Sequence, residues 1–345
     1  MKAWLVRSGK SGENDTFCIE NSLCIINWPE AGDLRPFQTR KEMLAHVASL
    51  YPAGKPRMVS HYTGQLFSFS QRIEIGDLVC LPLKSTGQIA IGKVIGPYEY
   101  DSVASPQQRQ KRKVEWLRTD VARTAIKQDL LYTLGAFMTV CEITRNDGAA
   151  RIAEVGKNGI DPGSKLAQGV AIDDPADSDQ EPIVDLVETA EDQIRQYIIE
   201  EFAGHALSEL VAAVLTAEGF VCEVAPPGPD GGIDVFAGRG PLGLDAPRLL
   251  VQVKSQANQV DAKTIRELHG VISTHGADQG LLVAWGGINK VAATELATQR
   301  FNLRVWDAND LMSGVFRNYE KFSPLMKNRL PLRNVVMLNA SDGKI

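Results

Sequence analysis

The chain is poor in the features that define several protein classes. Its 345 residues include five cysteines (Cys18, Cys24, Cys80, Cys141 and Cys222), odd in number and without a CxxC pair. That pattern gives no zinc-ligand spacing, and so few thiols in so long a chain make no disulfide framework. Reduced, buried cysteines are the expectation. No apolar run approaches the roughly 18 residues of a membrane helix, and the start "MKAWLVRSGK" has no apolar signal core. A cytoplasmic location is expected. "GRGPLG" from Gly238 lacks the lysine and following helix of a phosphate loop. Ser208 and Ser255 have no histidine at a suggestive spacing, and His205, His269 and His275 stand alone, so no hydrolase triad is visible.

What is present is ordinary in bulk and uneven in place. Apolar residues at 44% and charged residues at 23% suit a globular protein, and the length suits about two or three domains. The net charge of -5 conceals a gradient. Residues 1–150 carry 19 Lys and Arg against 15 Asp and Glu, residues 151–200 carry 4 against 12, and residues 201–345 carry 14 against 15. The first third is therefore basic and the middle acidic.

Three regions follow from the pattern. Residues 1–145 hold short β-branched and aromatic runs such as "SLCIINW", "GDLVCLPL" and "QIAIGKVIGPYEY", with helical stretches "TRKEMLAHVASLY" and "YTGQLFSFSQRI". They predict a mainly β, α+β domain, a small barrel or strongly curved sheet. Residues 146–182, rich in Gly, Asp, Pro and Ser, read as an acidic flexible linker. Residues 183–325 predict helices, three strands, then helix, strand, helix and strand: an α/β mixed sheet flanked by helices, followed by a tail over 326–345.

The chemistry concentrates in one stretch. In "RLLVQVK" the period of two puts Gln252 and Lys254 on one face and Val251 and Val253 on the other. Asp234 ends "GGID", where Gly231 and Gly232 permit a tight turn. If the two strands are neighbours, Asp234, Gln252 and Lys254 converge. A carboxylate and carbonyl oxygens suit Mg²⁺. An ammonium can orient or deprotonate the attacking water and offset charge on a phosphate. The plain alternative makes Asp234 a turn cap, Gln252 an exposed strand residue and Lys254 a snorkelling lysine.

"GPDGGIDVFA" followed, after a gap of 17 residues from Asp234, by "QVK" resembles the Mrr-like branch of the PD-(D/E)xK nucleases. The resemblance spans roughly 197–320 and includes the helices "ALSELVAAVLTAEGF" and "TIRELHGVI". It implies a restriction-endonuclease-like fold, with Asp234 as metal-binding aspartate, Gln252 as substituted second ligand and Lys254 as catalytic lysine. Glu209, on the opening helix, matches an acidic position that contributes to the metal site in such folds. Mg²⁺ or Mn²⁺ is the implied cofactor.

The first region resembles, by pattern across 1–145, a PUA-like barrel of the EVE and ASCH kind, which implies a cavity for a flipped, modified base. Trp28, Tyr62, Trp4 and Phe67 are candidate stacking residues and Asp77, His61 and Gln65 candidate hydrogen-bonding ones, with Trp116 less favoured. Most aromatics of a small β-domain are core, the competing assignment for each. The run "QQRQKRKVEWLRTDVAR" makes Lys111, Arg112, Lys113 and Arg118 candidates for contact with the DNA backbone. The combined expectation is a modification-dependent endonuclease of the type IV restriction kind, acting in anti-phage defence. Its partner is double-stranded DNA, and a homodimer is needed to cut both strands. A nuclease with a different trigger, or a silent DNA-binding module, is the alternative.

Overall fold

The computed structural model describes residues 1–135, 138–164, 185–226 and 232–337. Two compact units divide it, Met1–Asp192 and Gln193–Leu338. The first contains helix α1 (Asp15–Glu20) and strands β1 (Ala3–Val6), β2 (Leu23–Ile26), β3 (Leu78–Leu83), β4 (Gln88–Tyr100), β5 (Gln110–Ala122) and β6 (Val140–Glu142). They form one sheet in the order β2-β5-β4-β3-β1-β6. Among the described residues this sheet has two open ends and is not the closed barrel that the pattern predicted. The short β2 and β6 lie at its margins, and β1 runs parallel to β3 but antiparallel to β6.

Alternation along β1 shows how this sheet buries both faces. Trp4 and Val6 enter one core with residues of helices α2 (Arg40–Leu50) and α3 (Pro56–Phe67), whereas Ala3 and Leu5 enter the other. Helix α2 starts on a capping box between Thr39 and Glu42, and α3 on Pro56 in its first turn. The second face is covered by α4 (Gln128–Leu134) and α5 (Gly148–Asn158). Helix α5 corrects the linker assignment, since its residues Ile152 and Val155 are fully buried. Arg151, 2% exposed, pairs with Asp129 and Asp161, each at 2.6 Å. Few apolar positions and several glycines hid a helix that tertiary ion pairs hold in place. The rest of the expected linker, 165–182, lies outside the described residues.

The chain passes from one unit to the next within α6 (Leu186–Glu201). In the second unit, β7 (Val221–Val224), β8 (Val235–Arg239), β9 (Asp245–Lys254), β10 (Gln279–Ala284) and β11 (Leu303–Trp306) form a sheet in the order β11-β10-β9-β8-β7. Strands β9, β10 and β11 run parallel, while β7, β8 and β9 are antiparallel neighbours. Helices α7 (Ala206–Ala217) and α10 (Ala308–Asn318) bury Leu210, Val214 and Leu311 with Val235, Val251 and Val283 on one face. Helices α8 (Ala262–His275) and α9 (Lys290–Thr298) bury Ile265, Leu268 and Ala292 with Leu250 and Leu282 on the other. Gly204 and Gly219, at φ 62° and 92°, supply the left-handed turns on either side of α7. The unit also runs past 325, where the sequence placed a tail. Helix α11 (Pro324–Arg329) follows, and Leu330 is fully buried in the core that α7 and α10 share.

Candidate active site

Asp234, Gln252 and Lys254 come together through backbone pairing. Val235 of β8 lies opposite Val251 of β9, and Asp234, one residue earlier, continues that ladder. Its N–H donates to Val251 O at 2.8 Å. Its carboxylate Oδ2 accepts the N–H of Val253, the residue between Gln252 and Lys254, at 2.7 Å. The second carboxylate oxygen has no hydrogen-bond donor among the described residues. Gln252 and Lys254 alternate with Val251 and Val253, so they share the face of Leu250.

The Gln252 side chain is 6% exposed, and its Oε1 is buried without a hydrogen-bond partner among the described residues. Its Nε2 lies 2.6 Å from where a side-chain carbon on Gly232 would sit, and Gly232 has φ 80°. Only glycine meets both demands there. Gly231 lies outside the described residues. The Lys254 ammonium is half-buried and makes no hydrogen bond or ion pair with a described residue. Among the described residues, a buried acceptor, one carboxylate oxygen and an ammonium without partners thus lie along two paired strands.

Glu209 takes a different partner. Its carboxylate pairs with Arg329 of α11, which also reaches Glu201 at 3.4 Å and lies over the Phe202 ring. No hydrogen bond or ion pair joins Glu209 to Asp234, Gln252 or Lys254 among the described residues. The described residues also contain no group of three or more His, Cys, Asp or Glu able to hold a metal. Among the described residues, Asp234 and Gln252 carry the side-chain oxygens on this face of the strand pair.

In the first unit the candidates separate. Trp28 and Tyr62 meet edge to face, with ring centres 5.0 Å apart, and Tyr51 packs on Tyr62 at 5.2 Å. Trp28 Nε1 donates to Tyr51 Oη at 3.0 Å, and that hydroxyl donates to Glu30 at 2.8 Å. Tyr51 was not among the aromatics that the sequence singled out, and 23 residues separate it from Trp28. Phe67 and Trp116 are half-buried at the edges of cores, and Trp116 Nε1 donates to Cys18 O at 3.1 Å. His61 stands beside Tyr62; burial and then Arg57 lower its pKa, so the ring is neutral near pH 7.

Trp4 and Asp77 serve the fold rather than a cavity. Trp4 is fully buried and its Nε1 donates to Asp77 Oδ2 at 3.0 Å. That carboxylate also accepts from the backbone N–H of Lys2 and Glu74. Gln65 is likewise committed, accepting from the N–H of Thr139 at 2.6 Å.

The basic run on β5 is also corrected. Arg112 is 3% exposed, donating to Phe69 O at 2.7 Å and Ser70 O at 3.0 Å, and burial lowers its pKa to about 10. Both carbonyls belong to the π-helical turn Ser68–Arg72. Alternation on β5 sent the side chain inward. Replacing Arg112 with Met should cost about 2–3 kcal/mol in urea unfolding by stranding those carbonyls, without altering the salt slope of DNA binding. Lys111 pairs with Asp101, Lys113 with Glu99 and Arg118 with Asp120. Each exposed cation therefore has an acidic neighbour.

Residues 199–314 match the Mrr_cat family of restriction endonucleases. Residues 4–143 match a domain of unknown function, DUF8426. No curated protein matches the chain. Among solved structures, MspJI restriction endonuclease in complex with a 27-mer oligonucleotide is similar at 13% identity. That match covers 95% of this chain and 71% of that one, with a TM-score of 0.32. The DNA modification-dependent restriction endonuclease AspBHI is similar at 12%, over 74% and 66%, with a TM-score of 0.33. A protein of unknown function, AF1548, is similar at 17%, over 35% and 69%, with a TM-score of 0.27. No helix among the described residues is long and apolar enough to cross a membrane.

Proposed function

We propose that the chain is a divalent-cation-dependent DNA endonuclease whose second unit hydrolyses phosphodiester bonds. The observation that carries this reading is the buried Gln252 Oε1 next to the Asp234 carboxylate, with the Lys254 ammonium further along the same face of β9, Oε1 and ammonium both without a partner among the described residues. The restriction endonuclease match over 199–314 supports it. A buried acceptor without a donor costs about 1–3 kcal/mol, a cost that disappears when a cation occupies its lone pair. Asp234 and Gln252 are the residues that would hold Mg²⁺ or Mn²⁺, hard ions that take oxygen ligands and keep several waters. Bound there, the cation would supply positive charge against the scissile phosphate. Val253 N–H fixes the Asp234 carboxylate, and Gly232 leaves room for the Gln252 amide. Lys254 orients the attacking water and stabilises the charge that builds on the phosphate oxygens.

In this proposal the first unit restricts cleavage to DNA carrying a modified base, with the partly buried Tyr51 and Tyr62 as the stacking surface and Trp28, 7% exposed, packed in the core behind them. Cutting both strands takes two copies of the site, so the acting form is a homodimer on DNA. The test is digestion of otherwise identical duplexes with modified or unmodified cytosine and adenine, with Mg²⁺ or EDTA. Expected is Mg²⁺-dependent cleavage of at least one modified duplex, reduced at least tenfold by Tyr62→Ala in a chain that melts cooperatively. Equal cleavage of modified and unmodified DNA would remove the modification dependence. No metal-stimulated cleavage of any DNA would leave a silent binding module.

A further inference from the structure

We infer that the second unit carries a nucleotide-binding site distinct from the Asp234, Gln252 and Lys254 group. A cavity of about 470 Å³ opens where β8 ends and β10 and β11 begin, within the size range of small-ligand sites. Its floor is apolar, built from Leu215, Leu249 and Leu281 on the α7 face of the sheet. Around that floor stand Arg239, Arg304 and Arg317, with Glu218 as the one carboxylate in the lining.

Glu218 is already engaged. Its Oε1 accepts from Arg317 Nε at 3.2 Å and from Asn318 Nδ2 at 2.7 Å. Arg239 and Arg304 are held, yet keep donors to spare. The Arg239 guanidinium lies 3.9 Å from the centre of the Phe220 ring, and its Nη1 donates to Glu218 O at 2.9 Å. Its Nε and Nη2 have no acceptor among the described residues. Arg304 uses Nη1 on the carbonyls of Arg300 and Leu303, which leaves its Nε and Nη2 equally free.

Two fixed guanidiniums with free edges beside one cavity suit an anion with several oxygens, and a phosphate monoester provides them. The same lining offers flat surfaces. Trp306 stands half-buried on β11, and the face of Arg239 turned away from Phe220 is a second plane. Gln279 and Asn302 add amide groups able to meet the edge of a base. A planar heterocycle joined to a phosphate satisfies all three features, whereas inorganic phosphate or an apolar ligand satisfies one.

The cavity is remote from the proposed cleavage centre. Leu249 and Lys254 are five residues apart on β9, about 17 Å at strand spacing. Leu249 also faces the α7 layer, opposite to Gln252 and Lys254.

The test is calorimetric titration of the full chain with AMP, adenosine and inorganic phosphate, without divalent cation. AMP should bind saturably and at least tenfold more tightly than adenosine or phosphate alone. Arg304→Gln and Arg239→Gln, checked for folding by thermal melting, should each weaken AMP at least tenfold. Lys254→Ala and Tyr62→Ala should leave it unchanged, which keeps this inference separable from the nuclease proposal. A 5′-phosphorylated trinucleotide distinguishes the source. Binding as tight as AMP with the same loss in Arg304→Gln identifies a strand end, and binding of AMP alone identifies a free nucleotide. Absence of saturable binding for both probes would overturn the inference. So would binding that survives both arginine substitutions, or that Tyr62→Ala abolishes.

Discussion

Replacing Lys254 with Ala should lower Mg²⁺-dependent DNA cleavage by at least about a thousandfold, on the order of 4 kcal/mol of transition-state stabilisation, while the fold survives. The side chain makes no hydrogen bond or ion pair with a described residue, so its loss strands no partner. The strand is held by Val251 and Val253 and by backbone pairing with β8 and β10. The effect should fall on kcat rather than on DNA affinity, because a charge that matters most when the phosphate gains negative charge acts on the transition state. Single-turnover cleavage and a binding titration in Ca²⁺ separate the two. Undiminished cleavage by a folded Lys254→Ala protein would sink the assignment. Lys254→Arg should rescue little, since a planar fork does not replace a compact ammonium.

The largest expected stability effect lies in the first unit. Arg123 is 6% exposed, and its guanidinium pairs with Asp192 at 2.5 Å and Glu188 at 2.9 Å. Glu188 also meets Arg7 at 2.9 Å and Lys84 at 3.2 Å. Arg123→Ala leaves two carboxylates buried without their shared cation and should cost about 3–5 kcal/mol. Hydrogen exchange over Leu186–Asp192, with urea unfolding, should show the loss; protection within about 1 kcal/mol of wild type would refute it.

The same network sets an acid limit. Burial would raise the Glu188 carboxyl, but Arg123, Arg7 and Lys84 outweigh it and bring the pKa from 4.5 to about 2. A folded pKa below the unfolded one gives stability that is whole above about pH 4.5. Roughly 3 kcal/mol should then be lost as the pH falls from there to about 2. In Arg123→Ala that acid-dependent loss should shrink, because the main cation holding the carboxyl down is gone.

Legibility from sequence tracked how local the cause was. Gln252 and Lys254 share a face because a strand alternates, and Gly204 and Gly219 mark turns because few other residues adopt positive φ. The helix and strand order of the second unit followed from the same periodicities. Helix α5 did not, because its buried face mixes Ile152 and Val155 with glycines and with Arg151, whose partners Asp129 and Asp161 lie outside the helix. Within the basic run Arg112 misled for the opposite reason. Its charge is plain in the sequence, but alternation on β5 buried it.

By itself, the sequence determined that an amide and an ammonium share one face of a strand and that a carboxylate follows the glycine turn before it; the pairing that joins them came from the tertiary structure. Only the tertiary structure decided which polar atoms were left over. Gln252 Oε1 is orphaned because Gly232 and the sheet close around it, whereas Asp77, Gln65 and Glu209 were claimed by Trp4, Thr139 and Arg329. A side chain's chemistry is written in its residue type. Whether that chemistry is free to act depends on what the fold brings within hydrogen-bond reach, and those partners lie tens of residues away along the chain.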